Sequence, residues 1–126
     1  MPILYKFLFA GLGGFAGSAL RYGVYMAADT YFKYRFPLGT LIVNAVGSFL
    51  IGALAVLLQN SHDYWKVFLF VGFLGGFTTF SAFSNETLLL INDNRIFHAF
   101  LNVTLNVVLC LAFVFAGFKL AKILQL

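Results

Sequence analysis

Polar and small side chains recur every four residues in two of the most apolar stretches of the sequence. They are Thr40, Asn44, Ser48 and Gly52 in one stretch, and His98, Asn102, Asn106 and Cys110 in the other. A spacing of four residues places side chains on one face of a helix. The amides and hydroxyls on these faces are neutral donors, whereas carboxylates typically line a path for cations. Two such faces therefore suggest the wall of a path for a small anion, although a single asparagine can also simply join two membrane helices.

The region 72–86, which reads GFLGGFTTFSAFSNE, combines features that weaken a helix. Each of its glycines lowers helix stability by about 1 kcal/mol relative to alanine, and the threonines that follow are β-branched. We therefore expect the helix to break near 75–79. At such a break, the carbonyl end of the first half attracts a cation, and the amide end of the second half attracts an anion.

Phenylalanines repeat every three residues through this region, at Phe77, Phe80 and Phe83. The simplest interpretation of such a stripe is packing in the core. The edges of the rings also carry partial positive charge, however, and can face an anion.

Two charged residues accompany these faces. Gly13, Gly17 and Arg21 share one face of a helix, and the two glycines allow another helix to approach closely. Arg21 lies at the edge of its apolar run, either as an anchor that reaches the membrane surface or as a cation at the mouth of an anion path. Glu86 is the one acid within the apolar runs, and we expect it to pair with Arg21.

The elements that carry these residues are membrane spans. Of the 126 residues, 62% are hydrophobic and only 10% are charged, whereas a soluble domain has roughly a quarter charged residues. The single cysteine excludes a disulfide scaffold, and the eight Lys and Arg residues are too scattered for a nucleic-acid-binding surface. The sequence therefore predicts an all-α integral membrane protein. Residues 1–126 form a single four-helix domain with spans at about 3–28, 38–59, 66–92 and 97–124.

The charges give almost no preference for orientation. One side of the membrane carries Lys6, Lys66, Lys119 and Lys122, and the other carries Lys33, Arg35 and Arg95, with Arg21 near the end of its span. The positive-inside rule needs a larger difference than this. Either another signal sets the orientation, or copies insert in both directions and pair antiparallel.

Three segments together resemble one known family. The runs GTLIVNAVGSFLIG at 39–52 and GFLGGFTTFSAFSNE at 72–86, with the Gly17-x-x-x-Arg21 pair, resemble the Fluc fluoride channels, also called the CrcB family. The resemblance implies an antiparallel, dual-topology homodimer in the bacterial inner membrane, with the third helix of each subunit broken. It also implies passive export of fluoride through two pores, with a structural sodium ion (Na⁺) on the dimer axis.

The resemblance also assigns roles to individual residues. The carbonyls of Gly75 and Thr78 would bind the sodium ion, Arg21 would lie at the wide vestibule, and Glu86 would lie near the pore. The pore itself would be lined by Asn44, Phe80 and Phe83, by Thr40, Thr79 and Ser84 on or near a polar track, and by Asn102, Asn106 and Cys110 on the fourth helix. The last three depart from the family, where these positions are often Tyr, Ser or His.

Other functions fit the sequence less well. A small multidrug transporter needs a carboxylate within its first span, and the only acid near that span is Asp29 at its far end. A structural subunit would use the polar faces only to join helices. We expect no enzymatic activity, because His62 and His98 lack the partners that a nucleophile or a metal centre requires.

Overall fold

The structure is a computed structural model that describes residues 2–32 and 36–125. In these two ranges the chain forms helices and no strands, and four spans are long and apolar enough to cross a membrane. The spans are Ile3–Tyr31, Leu38–Leu57, Asp63–Asn92 and Ile96–Gln125. Lys33 and Arg35, two of the cations counted above, lie outside the described residues.

The third span consists of several helical pieces, whereas each of the others is a single helix. The elements in chain order are α1 (Ile3–Tyr31), α2 (Leu38–Leu57), α3 (Asp63–Lys66), a π-helix (Val67–Leu74), α4 (Gly75–Phe77), α5 (Phe80–Asn92) and α6 (Ile96–Gln125). Compared with the sequence prediction, α1 continues past residue 28 and the third span begins before residue 66. The π-helix was not expected from the amino-acid pattern. Such segments are short, and they often occur near functional sites.

Helical geometry is interrupted at Thr78 and Thr79, both of which are extended, with φ/ψ of −87°/159° and −154°/120°. These two residues lie within the region 75–79, where the sequence predicted the break. Thr79 is the N-cap of α5, because its hydroxyl oxygen accepts a hydrogen bond from the Ala82 N–H at 3.1 Å. A threonine cap satisfies one of the free N–H groups at a helix start, so α5 begins as a separate, capped helix.

Glycines let α1 pack directly against the first half of the third span. A Cβ atom on Gly13 would collide with the carbonyl oxygen of Phe68, and one on Gly17 would collide with that of Phe73. Backbone atoms cannot move aside as a flexible side chain can. The predicted role of this glycine pair in close helix packing is therefore confirmed.

A second glycine contact joins α2 to α6. A Cβ atom on Gly52 would collide with the carbonyl oxygen of Val114, and one on Gly117 would collide with that of Phe49. The contact is reciprocal, since each glycine receives the backbone of the other helix. This contact sets the distance between α2 and α6, the two helices that carry the polar faces.

The turn between α5 and α6 follows from the asparagines and aspartate at 92–95. Asn94 adopts a left-handed conformation with a φ of 57°, which asparagine tolerates better than most residues. The N–H groups of Asn94 and Arg95 donate to the carbonyls of Ile91 and Leu90 at 3.0 and 2.8 Å. This pair of bonds is a Schellman motif, which satisfies the last carbonyls of α5 and allows α6 to return antiparallel.

The outer surface of the chain is strongly apolar. On α1 the side chain of Phe15 is 78% exposed, and on α6 that of Phe100 is 66% exposed. Soluble monomers rarely expose contiguous apolar surface on this scale. A lipid environment makes such exposure favourable.

Candidate functional site

An open groove of about 560 Å³ lies between α2, the third span and α6. The predicted site residues that line it are Asn44, Gly75, Thr78, Thr79, Phe80, Phe83, Asn106 and Cys110. Among the described residues that line the groove, none is charged. The structure therefore brings together most of the residues assigned to the pore and both residues assigned to sodium.

Asn44 binds the interrupted backbone of the third span. Its side-chain oxygen accepts the Thr79 N–H at 2.8 Å, and its nitrogen donates to the Thr79 carbonyl at 3.1 Å. One side chain thus satisfies both backbone groups of a residue that is 35 positions away in sequence. An asparagine amide can do this because it has the same donor and acceptor as a peptide group.

A chain of amides continues from Asn44 into α6. The Asn44 nitrogen also donates to the Asn106 side-chain oxygen at 3.1 Å. The Asn106 nitrogen donates to the backbone and side-chain oxygens of Asn102 at 2.9 and 3.1 Å. The Asn102 nitrogen then donates to the Thr87 hydroxyl at 3.0 Å. Asn102 has no exposed surface, so it lies behind the groove wall and not in it.

The extended residues also separate several backbone carbonyls from their helical donors, among them those of Gly75 and Thr78. In an α-helix the carbonyls of Gly75 and Thr78 would accept from the N–H groups of Thr79 and Ala82. Those N–H groups donate instead to the side-chain oxygens of Asn44 and Thr79. Carbonyl oxygens are suitable ligands for a hard cation such as sodium. The carbonyls that the family resemblance assigns to sodium are therefore among those that lack their helical donors.

The three phenylalanines of the predicted stripe have different surroundings. Phe77 is buried and stacks on Phe73, with ring centroids 5.8 Å apart. Phe80 and Phe83 both line the groove, and their centroids are 5.3 Å apart at an angle of 57°. Phe83 is 9% exposed, whereas Phe80 is 78% exposed and projects from the chain. Core packing accounts for Phe77, whereas Phe80 and Phe83 present rings to the groove.

The prediction that Arg21 pairs with Glu86 is wrong. The Arg21 Nε donates to the carbonyl of Gly76 at 3.0 Å. Glu86 accepts instead from the Thr40 hydroxyl at 2.6 Å. Arg21 is drawn to the end of the first half of the third span because the last carbonyls of a helix lack partners and carry partial negative charge.

Comparison with known proteins gives a consistent result across almost the whole chain. Residues 8–118 match the family model described as CrcB-like protein, Camphor Resistance (CrcB). The chain belongs to the CrcB family. A protein from Elusimicrobium minutum named fluoride-specific ion channel FluC is 50% identical over 98% of this chain and 99% of its own length.

Relatives from other bacteria carry the same name. The protein from Shewanella amazonensis is 48% identical over 90% of this chain and 93% of its own length. The protein from Campylobacter jejuni is 43% identical over 95% of this chain and 100% of its own length. With its four apolar spans, this CrcB protein is a multi-pass protein of the bacterial membrane. The names of its relatives describe an ion channel and no enzyme.

A second, smaller pocket of about 170 Å³ lies outside the groove of this CrcB protein. It is lined in part by Tyr25, Asp29, Thr40 and Glu86. The Thr40 hydroxyl is 2.8 Å from the Tyr25 hydroxyl and donates to Glu86, so Thr40 connects α1 to α5. Thr40 and Glu86 therefore lie together, but apart from the groove that contains Asn44.

One more predicted residue has a place in the structure, and two residues that were not predicted take part in the polar contacts. Ser84 is exposed, and its hydroxyl donates to the Phe80 carbonyl of its own helix at 2.9 Å. Tyr25 and Thr87 take part in the polar contacts but were missed from the sequence. Tyr25 could have been found, since it lies four residues after Arg21 on the same helical face. Thr87 could not, because its partner lies on another helix.

Proposed function

We propose that this CrcB chain is a fluoride-selective channel through which fluoride leaves the cell passively. The observation that carries the proposal is the groove, where an amide and two phenylalanine rings meet at the break of the third span. The names of relatives at 43% to 50% identity support fluoride as the ion. No step of this function needs a reacting group, so we expect no catalysis.

The groove offers fluoride weak and replaceable contacts. Both hydrogens of the Asn44 nitrogen are donated within the protein, to the Thr79 carbonyl and the Asn106 side-chain oxygen, each at 3.1 Å. An anion would bind here by replacing one of these two acceptors. The ring edges of Phe80 and Phe83 add partial positive charge without a fixed cation. Such contacts favour entry and still permit exit, as conduction requires.

Two antiparallel copies would enclose the path. In one copy the groove is open and Phe80 is 78% exposed, so a single chain cannot shield an ion from lipid. A second copy laid against this face would cover both features. Because each copy brings one groove, the pair would contain two pores. The nearly equal numbers of cations on the two sides of the membrane support insertion in both directions.

Sodium would be held by the carbonyls of Gly75 and Thr78. When bound, it would supply a fixed positive charge beside the fluoride path. The two residues fit this role because the break removes their usual helical partners. Arg21 donates to the neighbouring Gly76 carbonyl, so that oxygen is already engaged.

The remaining predicted residues extend the polar lining. Thr79 and Asn106 place a hydroxyl and an amide along the groove, and Cys110 fills its wall. Thr40 and Glu86 lie in the second pocket, where they would form the polar approach to the path. We assign Ser84 to the exposed surface that the second copy would cover.

Ion efflux from liposomes tests this function. Purified protein is reconstituted in liposomes loaded with fluoride or with chloride, and an ion-selective electrode follows release after a potassium ionophore removes the opposing voltage. Fluoride release well above that of protein-free liposomes, with negligible chloride release, is the expected result. If folded protein releases no fluoride, the proposed function is wrong, and assays of cationic drug transport become the next step.

A further inference from the structure

The amide chain between α6 and the break has a fixed direction. At one end, the Asn106 nitrogen donates to the backbone carbonyl of Asn102, which can only accept. At the other end, the Asn44 oxygen accepts from the backbone N–H of Thr79, which can only donate. Backbone groups at both ends therefore determine which way the two side-chain amides point.

Turning either amide around would oppose groups of the same kind. A reversed Asn44 would place its oxygen against the Thr79 carbonyl and the Asn106 oxygen, and its nitrogen against the Thr79 N–H. A reversed Asn106 would place its oxygen against the two oxygens of Asn102. Each reversal loses several hydrogen bonds among buried or half-buried groups, which is costly where water cannot replace them.

We infer that Asn106, Asn102 and Thr87 are positioning residues that fix the orientation of the Asn44 amide at the groove. The inference deepens the proposed function, on which its effect on fluoride flux rests. Held this way, the two N–H groups of Asn44 donate to Thr79 and Asn106, and an anion in the groove would bind by replacing one of these acceptors. Released, the amide can present its oxygen, which repels an anion.

Burial separates positioning from direct contact with the ion. Asn102 has no exposed surface, and neither Asn102 nor Thr87 lines the groove. The Thr87 hydroxyl accepts from the Asn102 nitrogen and donates to the Phe83 carbonyl at 2.8 Å. A change at Thr87 can therefore reach the ion only through its neighbours.

The first experiment measures the backbone N–H of Thr79 without using fluoride. The chain has six threonines, so selective ¹⁵N-threonine labelling gives a simple NMR spectrum, in which a Thr79→Ser variant identifies the Thr79 signal. Thr87→Val removes the acceptor of Asn102 with little change of shape. We expect it to speed hydrogen exchange at Thr79 about tenfold, the factor that corresponds to the loss of about one hydrogen bond.

Two matched variants control this experiment. Thr104→Val makes the same substitution on α6 at a residue outside the groove and the amide chain, and it should leave exchange at Thr79 unchanged. Thr87→Ser keeps the hydroxyl and should restore the wild-type rate. Equal exchange at Thr79 in the wild type and in both Thr87→Val and Asn106→Leu would overturn the inference.

The second experiment is a double-mutant cycle on fluoride efflux. If Asn106 acts through Asn44, Asn106→Ala should lower efflux about tenfold in the wild type but less than about twofold when Asn44 is already alanine. The same fold reduction in both backgrounds would show that Asn106 acts independently and would overturn the inference.

The two experiments separate this inference from the proposed function. Wild-type protein that releases no fluoride, but whose Thr79 exchange depends on Thr87, would contradict the channel and support the positioning chain. Wild-type protein that releases fluoride, with Thr79 exchange unchanged in every variant, would support the channel and contradict the positioning chain.

Discussion

The two ends of the contact between α2 and α6 are built in opposite ways. At one end Gly52 and Gly117 bring the two backbones together, with no room for another atom. At the other end Asn44 and Asn106 connect the helices through side-chain amides, beside a groove of about 560 Å³. The glycine contact fixes the distance between the helices, and the amide contact fixes the orientation of donors within that distance.

The same division holds for the third span. Its first half is set against α1 by Gly13 and Gly17, whereas the interruption at Thr79 is held by Asn44. Close backbone contacts at glycines thus flank a region that is held by hydrogen bonds. Changes at the glycines should therefore affect folding, and changes at the amides should affect ion flux more than folding.

The largest effect is expected from Gly52→Ala. The added Cβ would meet the Val114 carbonyl of α6, which can move only if the helices separate. We expect a loss of about 3 kcal/mol or more in the free energy of unfolding, or failure to fold. Thermal unfolding in detergent, followed by circular dichroism, measures this.

Gly23→Ala is the matched control for this substitution. Within the described part of the chain, no atom lies within 4 Å of a Cβ placed on Gly23, and alanine is the better helix former. We expect this variant to be as stable as the wild type or slightly more stable. Equal stability of both alanine variants would show that the α2–α6 contact is looser than described.

Asn44→Asp should mainly affect flux. The carboxylate still accepts from the Thr79 N–H, but it cannot donate to the Thr79 carbonyl or to Asn106. It also adds a negative charge to the proposed anion path. Two lost bonds correspond to roughly a hundredfold fall in fluoride efflux from liposomes.

The same substitution at Asn60, in the exposed turn after α2, provides the control. Asn60→Asp adds the same charge outside the groove, and we expect wild-type efflux. If Asn44→Asp also gave wild-type efflux, Asn44 would not lie on the fluoride path.

A smaller effect is expected from Phe80→Ile. The substitution keeps an apolar side chain but removes the ring edge, and Phe80 is too exposed to contribute much to folding within one chain. We expect fluoride efflux to fall about tenfold, which corresponds to about 1.4 kcal/mol, near the upper end for an aromatic contact. Phe100→Ile, at a similarly exposed ring on α6 outside the groove, should keep wild-type efflux. Equal efflux from both variants would argue against ring contacts with the ion.

The smallest effect is expected from Arg21→Gln, measured as stability. The amide of glutamine is shorter and uncharged, so it caps the Gly76 carbonyl less well. We expect the free energy of unfolding to fall by about 1 kcal/mol. Lys66→Gln, at a surface lysine that donates to the Gln59 carbonyl, should change it by less than about 0.5 kcal/mol. A larger loss for Lys66→Gln than for Arg21→Gln would contradict the proposed cap.

The features that could be predicted from the sequence are those that depend on local composition. Four apolar runs predicted four spans, and the glycines and threonines of 72–86 predicted where the third span is interrupted. The sequence could not predict contacts between distant segments. The partner of Arg21 is a backbone carbonyl 55 residues away, and the two partners of Asn44 lie 35 and 62 residues away. A four-residue spacing shows that Asn102 and Asn106 share a face, but not that one lines the groove while the other lies behind it.

Chemical modification of Cys110 tests most directly whether fluoride passes through the groove. Cys110 is the only cysteine and lines the groove, so a thiol reagent places a bulky group there and nowhere else. The modified fraction is measured by mass spectrometry on the same reconstituted sample used for fluoride efflux. We predict that efflux falls in proportion to the modified fraction, whereas Cys110→Ala keeps its own initial rate after the same treatment. Undiminished efflux from fully modified protein would contradict a fluoride path through this groove.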